Sequence, residues 1–338
     1  MAASLTVTAV VALLYLLVVR LLDFNEKEPL WAVLMLFGGG AVAAASLVLF
    51  APGAFLALNP LVGNIASELA RFLAVGAGIG VLVLVGRSKG YSEVNGLLDG
   101  VVYGSAGGFG FATGLAFTRE ILLPTPKLPL TAAGMAGYGE IALVGLSDGL
   151  FGALMGIGFA AALDARSHAK RAVVGVGGLL AAIAAHLLYD ALAKGAPFSD
   201  SAMVRKWAAL LLPVLVVIAT VIVALRFEKG AIAEELSSEA ETGAVSPEEL
   251  GVLQSWAARQ GQYVSRLAKL DLGGWSALHS LHNRQVQLAL AKRKVAKETD
   301  QQARAESAGE VVALRRSVLE LKQRLGAKAP SDGQEASS

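Results

Sequence analysis

The chain has 338 residues, 55% of them hydrophobic and 17% charged, with no cysteine and a mean hydropathy of +0.59. That is too apolar for a water-soluble globule and fits a polytopic membrane protein. The missing thiols exclude disulfides, thiolate catalysis and cysteine metal sites, and the net charge of +2 is concentrated in loops and towards the C-terminal end.

The expected fold is all-α, a polytopic membrane helical bundle of about seven transmembrane helices with a cytoplasmic helical tail. Apolar runs of spanning length fall at about 3–22, 29–50, 61–86, 97–118, 139–163, 172–193 and 207–226. The first lacks a basic leading segment and a small-residue cleavage site, so it reads as a retained span and not a removed signal peptide. Glycine is abundant at 38, as expected where membrane helices pack closely. On one side the connections carry Arg20, Lys27, Arg87, Lys89, Arg166, Lys170, Arg171, Arg226 and Lys229. On the other they carry Arg119, Lys127, Lys194, Arg205 and Lys206. Nine against five puts the N-terminus outside and the tail in the cytoplasm by the positive-inside rule.

The third span holds Asn64, Ser67, Glu68 and Arg71. Asn64 and Glu68 are four apart, Glu68 and Arg71 three, and Ser67 and Arg71 four, so on a helix they form one stripe. A carboxylate and a guanidinium in hydrocarbon cost several kcal/mol unless they face protein or water and find partners. The stripe is therefore either a site or an ion pair that only holds two helices together. The fifth span carries Ser147 and Asp148. The sixth carries His186 and Asp190 at i, i+4, where the carboxylate can accept the ring N–H. Counted from the outer helix ends, Glu68, Asp148 and His186 all lie roughly 10–14 Å deep. A convergent site requires such a shared depth; unrelated helix-packing residues do not.

Beyond residue 228 the composition turns polar. The expected organisation is a transmembrane domain over 1–228, a linker over 229–245, a cytoplasmic helical tail over 246–328 and a disordered end over 329–338. Ser246-Pro-Glu-Glu is a helix start, and that helix is expected to run to about Leu270. Gly273-Gly274 is expected to break the chain before a second helix from about Ser276 to Leu325. The run Lys292-Arg-Lys-Val-Ala-Lys reads as a solvated face or a contact with anionic lipid. His279 and His282 read as exposed, and a metal pair is the lesser alternative. No nucleic-acid motif is present.

Three segments resemble the PrsW family of bacterial intramembrane proteases. Asp23-Phe-Asn-Glu-Lys-Glu-Pro29 is similar to the family's Asp-x-x-Glu-Lys-Glu-Pro lead into the second span. Asp99-Gly-Val-Val-Tyr-Gly-Ser-Ala-Gly-Gly-Phe-Gly-Phe-Ala112 resembles its glycine-rich fourth span, and His186-Leu-Leu-Tyr-Asp190 its His-x-x-x-Asp motif. Three positions depart from the pattern. Glu-Glu-x-x-Lys reads Ser67-Glu68-Leu-Ala-Arg71, Phe-x-x-x-Glu reads Phe111-Ala-Thr-Gly-Leu115, and a second histidine falls on Asp148.

The resemblance implies an endopeptidase of the bacterial inner membrane. Its substrate would be a membrane-anchored protein or single-span regulator, for example an anti-sigma factor, cut near the outer face within the lipid bilayer. Peptide hydrolysis needs an activated water and a stabilised oxyanion. Glu68 would be the base remaining from the paired motif, with His186 stabilising the oxyanion or ligating a metal, and Asp190 orienting it. Arg71, Asn64 and Ser67 would support them. Glu68, Asp148 and His186 would be a conceivable ligand set for zinc, which accepts carboxylate oxygen and imidazole. The altered positions leave a second reading open, a catalytically degenerate scaffold or sensor that signals through its helical tail.

Overall fold

The computed structural model describes residues 2–22, 28–50, 60–89, 94–122, 132–165, 167–193, 200–240, 243–298 and 301–327. All its regular elements there are helical. Seven long helices come first: α1 (Ala2–Leu22), α2 (Leu30–Phe50), α3 (Pro60–Lys89), α4 (Leu97–Leu122), α5 (Ala132–Asp164), α6 (His168–Ala193) and α7 (Asp200–Glu235). A 3₁₀ turn, Ser237–Ala240, follows, then α8 (Pro247–Gln254), α9 (Trp256–Ala268), α10 (Leu272–Lys297) and α11 (Gln301–Ala327). The chain divides into two compact units, one ending at Ala224 and the other built mainly from Leu225 onward.

Five helices are long and apolar enough to cross a membrane among the described residues: α2, α3, α5, α6 and α7. The other two expected spans are helices too, and α4 misses the mark for a physical reason. It is the central helix of its unit, buried without interruption from Leu98 to Ala112, so it needs small residues more than apolar ones. A Cβ built on Gly104 would lie 2.2 Å from the Gly152 carbonyl oxygen of α5, and one on Gly40 of α2 would lie 2.0 Å from that of Gly107. Backbone thus lies directly on backbone along both seams. Leu36, Val75, Ile79, Val102 and Phe109 fill the core beside them. The first-loop motif lies mostly outside the described residues, but its Glu28 is buried and accepts from the Tyr103 hydroxyl of α4.

The second unit departs from expectation in several places. Ser246 does cap α8 in a complete capping box with Glu249, with Pro247 in the first turn. The helix then stops at Gln254, because the Ser255 side chain caps α9 by accepting from Ala258 N–H. Gly273 and Gly274 lie inside the first turn of α10, where Asp271 accepts from Gly274 N–H at 2.7 Å. The break falls earlier, at Lys269–Asp271, where Leu270 takes a left-handed φ of 55°. The expected single helix over 276–325 is two, interrupted after Lys297, and α10 packs on α11.

The described residues of the stretch read as a linker, 229–240 and 243–245, contribute to an apolar core. Ala231, Ile232, Leu236, Ala244 and Val245 join Leu281, Leu288, Leu314 and Val318 in one apolar cluster. Glu239, 1% exposed, accepts from Lys292 Nζ at 2.7 Å and from Arg315 Nε and Nη2 at 2.8 Å each. Lys292 also donates to the Glu235 carbonyl, and Arg293 pairs with Glu234 and lies over the Phe227 ring. The basic run is therefore not simply a solvated face: a buried carboxylate draws its first lysine inward. His282 is likewise not exposed. It is 3% exposed, its Nδ1 hydrogen-bonds the Tyr263 hydroxyl at 2.9 Å, and His279 packs on the rings of Tyr263 and Trp275. Burial, then the nearby charge of Arg259, lowers the His282 pKa to about 4. Burial raises the Tyr263 hydroxyl to about 12.

Candidate active site

The polar stripe of α3 faces α5 and α6, and Glu68, Arg71, Asp148, His186 and Asp190 meet there. Two rungs join α3 to α6. Glu68 Oε1 contacts His186 Nδ1 at 2.5 Å, and Asn64 Nδ2 donates to Asp190 Oδ2 at 2.5 Å. The spacing is four residues on each helix, so antiparallel helices bring both pairs into register one turn apart. A third rung reaches α5: Arg71 donates to Glu68 Oε1 at 2.5 Å and to Asp148 Oδ1 at 2.6 Å. The three residues expected to share one depth form one connected network.

Burial grades the members. Glu68 is 0% exposed, Arg71 1% and Asp148 5%, whereas the His186 side chain is 16% exposed. The guanidinium of Arg71 neutralises the carboxylates on either side, as two charges in a low-dielectric interior require. It lies 4.6 Å from the Phe111 ring centroid of α4, a cation–π contact made stronger by the burial of Arg71. Phe151 of α5 stacks on His186 at 5.0 Å and meets Tyr189 edge-on. The imidazole is thus fixed by a carboxylate at Nδ1 and by an aromatic plane on its face.

Two sequence assignments change. Asp190 does not orient His186: the side chain four residues away on the same helix bonds Asn64 instead, and Glu68 takes the ring nitrogen. Ser67 is buried at 6% but gives the cluster no hydrogen bond. Phe151 is the member sequence reading missed. Its signal was present, since it stands one turn beyond Asp148 and so on the same helix face. Leu115, at the position of the family's second glutamate, is half-buried one turn beyond Phe111.

The set Glu68, Asp148 and His186 does not fit a metal as arranged. A guanidinium bridges the two carboxylates, and the Nδ1 of His186 is committed to Glu68. Among the described residues no group of three or more His, Asp or Glu side chains stands at ligand spacing. Glu68 Oε2 is buried and has no hydrogen-bond partner.

No curated protein and no solved structure gives a significant match to this chain. A family profile does: residues 28–225 match the PrsW family of intramembrane metalloproteases. The matched stretch starts just before α2, ends within α7 and includes every residue of the network. With more than half its length inside that match, the chain belongs to the PrsW family of intramembrane metalloproteases.

Proposed function

We propose that this protein is an intramembrane endopeptidase that hydrolyses a peptide bond of a membrane-anchored protein. The observation that carries the reading is the Glu68–His186 contact at 2.5 Å, in which a buried carboxylate holds one nitrogen of a partly exposed imidazole. The base is then His186 and not Glu68, which is fully buried and already engaged by Arg71. With Nδ1 held by Glu68, Nε2 of His186 takes a proton from water as its oxygen attacks the peptide carbonyl carbon. The carbonyl π electrons move to oxygen. On collapse the C–N bond breaks, and the proton passes from His186 to the leaving amine. Arg71, through its bond to Glu68, offsets the negative charge behind the imidazole, and Phe151 fixes the ring plane.

The seven long helices are read as seven spans, with the N-terminus outside and the tail in the cytoplasm of a bacterial inner membrane. The loop charges support that orientation. It places His186 in the outer leaflet and the cut near the outer face of the substrate, and a single-span regulator such as an anti-sigma factor suits such a site. The residues above carry no metal-dependent step, because their arrangement does not suit one.

A second reading is favoured by a specific feature. Arg71 bridges Glu68 and Asp148, and the network ties α3, α5 and α6 together, with Glu68 engaged by both Arg71 and His186. A charge-paired cluster of this kind serves a non-catalytic membrane scaffold or sensor signalling through its tail equally well. The discriminating experiment reconstitutes the full chain in liposomes with a fluorescently labelled single-span peptide. Cleavage that is lost in His186→Ala, with the melting temperature retained, supports the peptidase. A wild-type protein that is folded and cuts no single-span peptide supports the scaffold.

A further inference from the structure

A groove of about 730 Å³ opens between α3, α5 and α6, away from the ladder of hydrogen bonds. Phe72, Gly76 and Gly80 of α3, Phe159 of α5 and Gly175 of α6 line it, and Arg171 stands at one mouth. Its walls are almost wholly apolar, and the small residues make its floor low. Phe72 stacks on Phe159 at 4.6 Å and closes the groove next to Arg71 of the buried network. At the opposite end the Nε of Arg171 donates to the Ala165 carbonyl at 2.9 Å, which tethers the side chain where α5 turns into α6. Lys170 is exposed beside it, and Asp164 shares this end with opposite charge.

We propose that this groove holds one anionic phospholipid, with an acyl chain along α3 and the headgroup phosphate on Arg171. Length decides between occupants. Along α3 the lining runs from Phe72 to Leu84, which at 1.5 Å per residue is about 18 Å. One leaflet of hydrocarbon is about 15 Å deep, half of a core of about 30 Å, whereas a spanning helix needs the whole core. The groove therefore matches a lipid tail and is too short to seat a transmembrane segment along its length. Charge decides between lipids. Basic positions between membrane helices select anionic headgroups, and Arg171 brings such a charge to the apolar lining. The bound chain ends beneath Phe72, so the lipid lies directly under the network without contributing to its chemistry. The inference does not depend on whether the protein cuts peptides.

The test is native mass spectrometry of the full chain in detergent with phosphatidylglycerol or phosphatidylcholine added at equal concentration. Phosphatidylglycerol should be retained in preference, on the order of tenfold for the charge at the mouth. Arg171→Gln, an exposed position, should remove the preference while leaving weak binding of both lipids. Gly80→Leu should remove retention of both, and its Cβ meets nothing within 4 Å, so the fold tolerates it. Equal retention of the two lipids by the wild type overturns the proposal. So does undiminished phosphatidylglycerol binding in Gly80→Leu, which would mean a headgroup or free phosphate held without the groove. Displacement of all phospholipid from the wild type by a single-span peptide that Gly80→Leu no longer binds also overturns it.

Discussion

Gly39 and Gly40 are neighbours on α2, yet a methyl group added to each should act in opposite directions. A Cβ on Gly40 would lie 2.0 Å from the Gly107 carbonyl oxygen and 2.9 Å from the Phe111 nitrogen, whereas one on Gly39 meets nothing within 4 Å. Real contacts of this type stay above about 3 Å, so Gly40→Ala must part α2 from α4 by about 1 Å, and a gap of that size forfeits a quarter to a half of each dispersion contact. With overpacking at about 1–3 kcal/mol, and with backbone on the far side unable to yield, a loss of about 3 kcal/mol is expected. Gly39→Ala gains helix propensity, up to about 1 kcal/mol. The pair should therefore differ by about 4 kcal/mol, with Gly40→Ala melting roughly 6–12 °C below wild type for a unit of this size. Thermal unfolding of the purified protein in detergent, read by intrinsic fluorescence, measures both. A Gly40→Ala protein as stable as the wild type, or a Gly39→Ala protein as damaged as Gly40→Ala, would refute the claim that backbone contact governs this seam.

Arg71→Met should destabilise the protein by about 3–5 kcal/mol, because it leaves two carboxylates facing each other in a low-dielectric interior. Adding Glu68→Gln to it should cost less than the sum of the two changes, a coupling readable in the same melts. In the tail, Glu239→Leu strands Lys292 and Arg315, whose side chains are 17% and 33% exposed and can partly rehydrate, so about 2–3 kcal/mol is expected. Hydrogen exchange of the full chain should show faster opening across residues 286–318, and unchanged rates there would count against the buried triad. The tail should also weaken in acid. His282 titrates near 4 when folded and near 6.5 when unfolded, so between those values the unfolded chain binds the extra proton and stability falls as pH falls. The full effect is about 3 kcal/mol by pH 4, it should appear in exchange rates over residues 256–297, and His282→Phe should abolish it.

Sequence patterns exposed much of the membrane unit because hydrocarbon penalises error heavily. Glu68, Arg71, Asp148 and His186 could be gathered from depth and helical spacing alone, since buried charges in lipid must find one another. Which charge pairs with which was less legible. His186 and Asp190 are a turn apart on α6, but side chains of α3 approach at the same two levels and intercept both. The tail shows the opposite limit. Its polar composition hid a core, because Ile232, Leu236 and Val245 are few and dispersed among glutamates and serines. The glycine pair at 273–274 looked like a break, but a capping aspartate two residues earlier starts the helix first. Ser255 looked like an ordinary helix residue until its hydroxyl was seen capping the next helix.

The contact between α4 and α5 bears on how the family's members should be sorted. Gly100, Gly104 and Gly108 meet backbone at Gly156, Gly152 and Asp148, each at a distance that a single methyl would violate. Nearly every coding change at these glycines is a loss, whatever the protein does, whereas lipid-facing leucines are free to drift. The glycine run that identifies this chain most plainly is therefore inherited with the architecture and is indifferent to whether peptides are cut. A relative that has lost hydrolysis would retain that run intact and would still be recognised by it. Judging activity across such relatives must rest instead on the few side chains around His186.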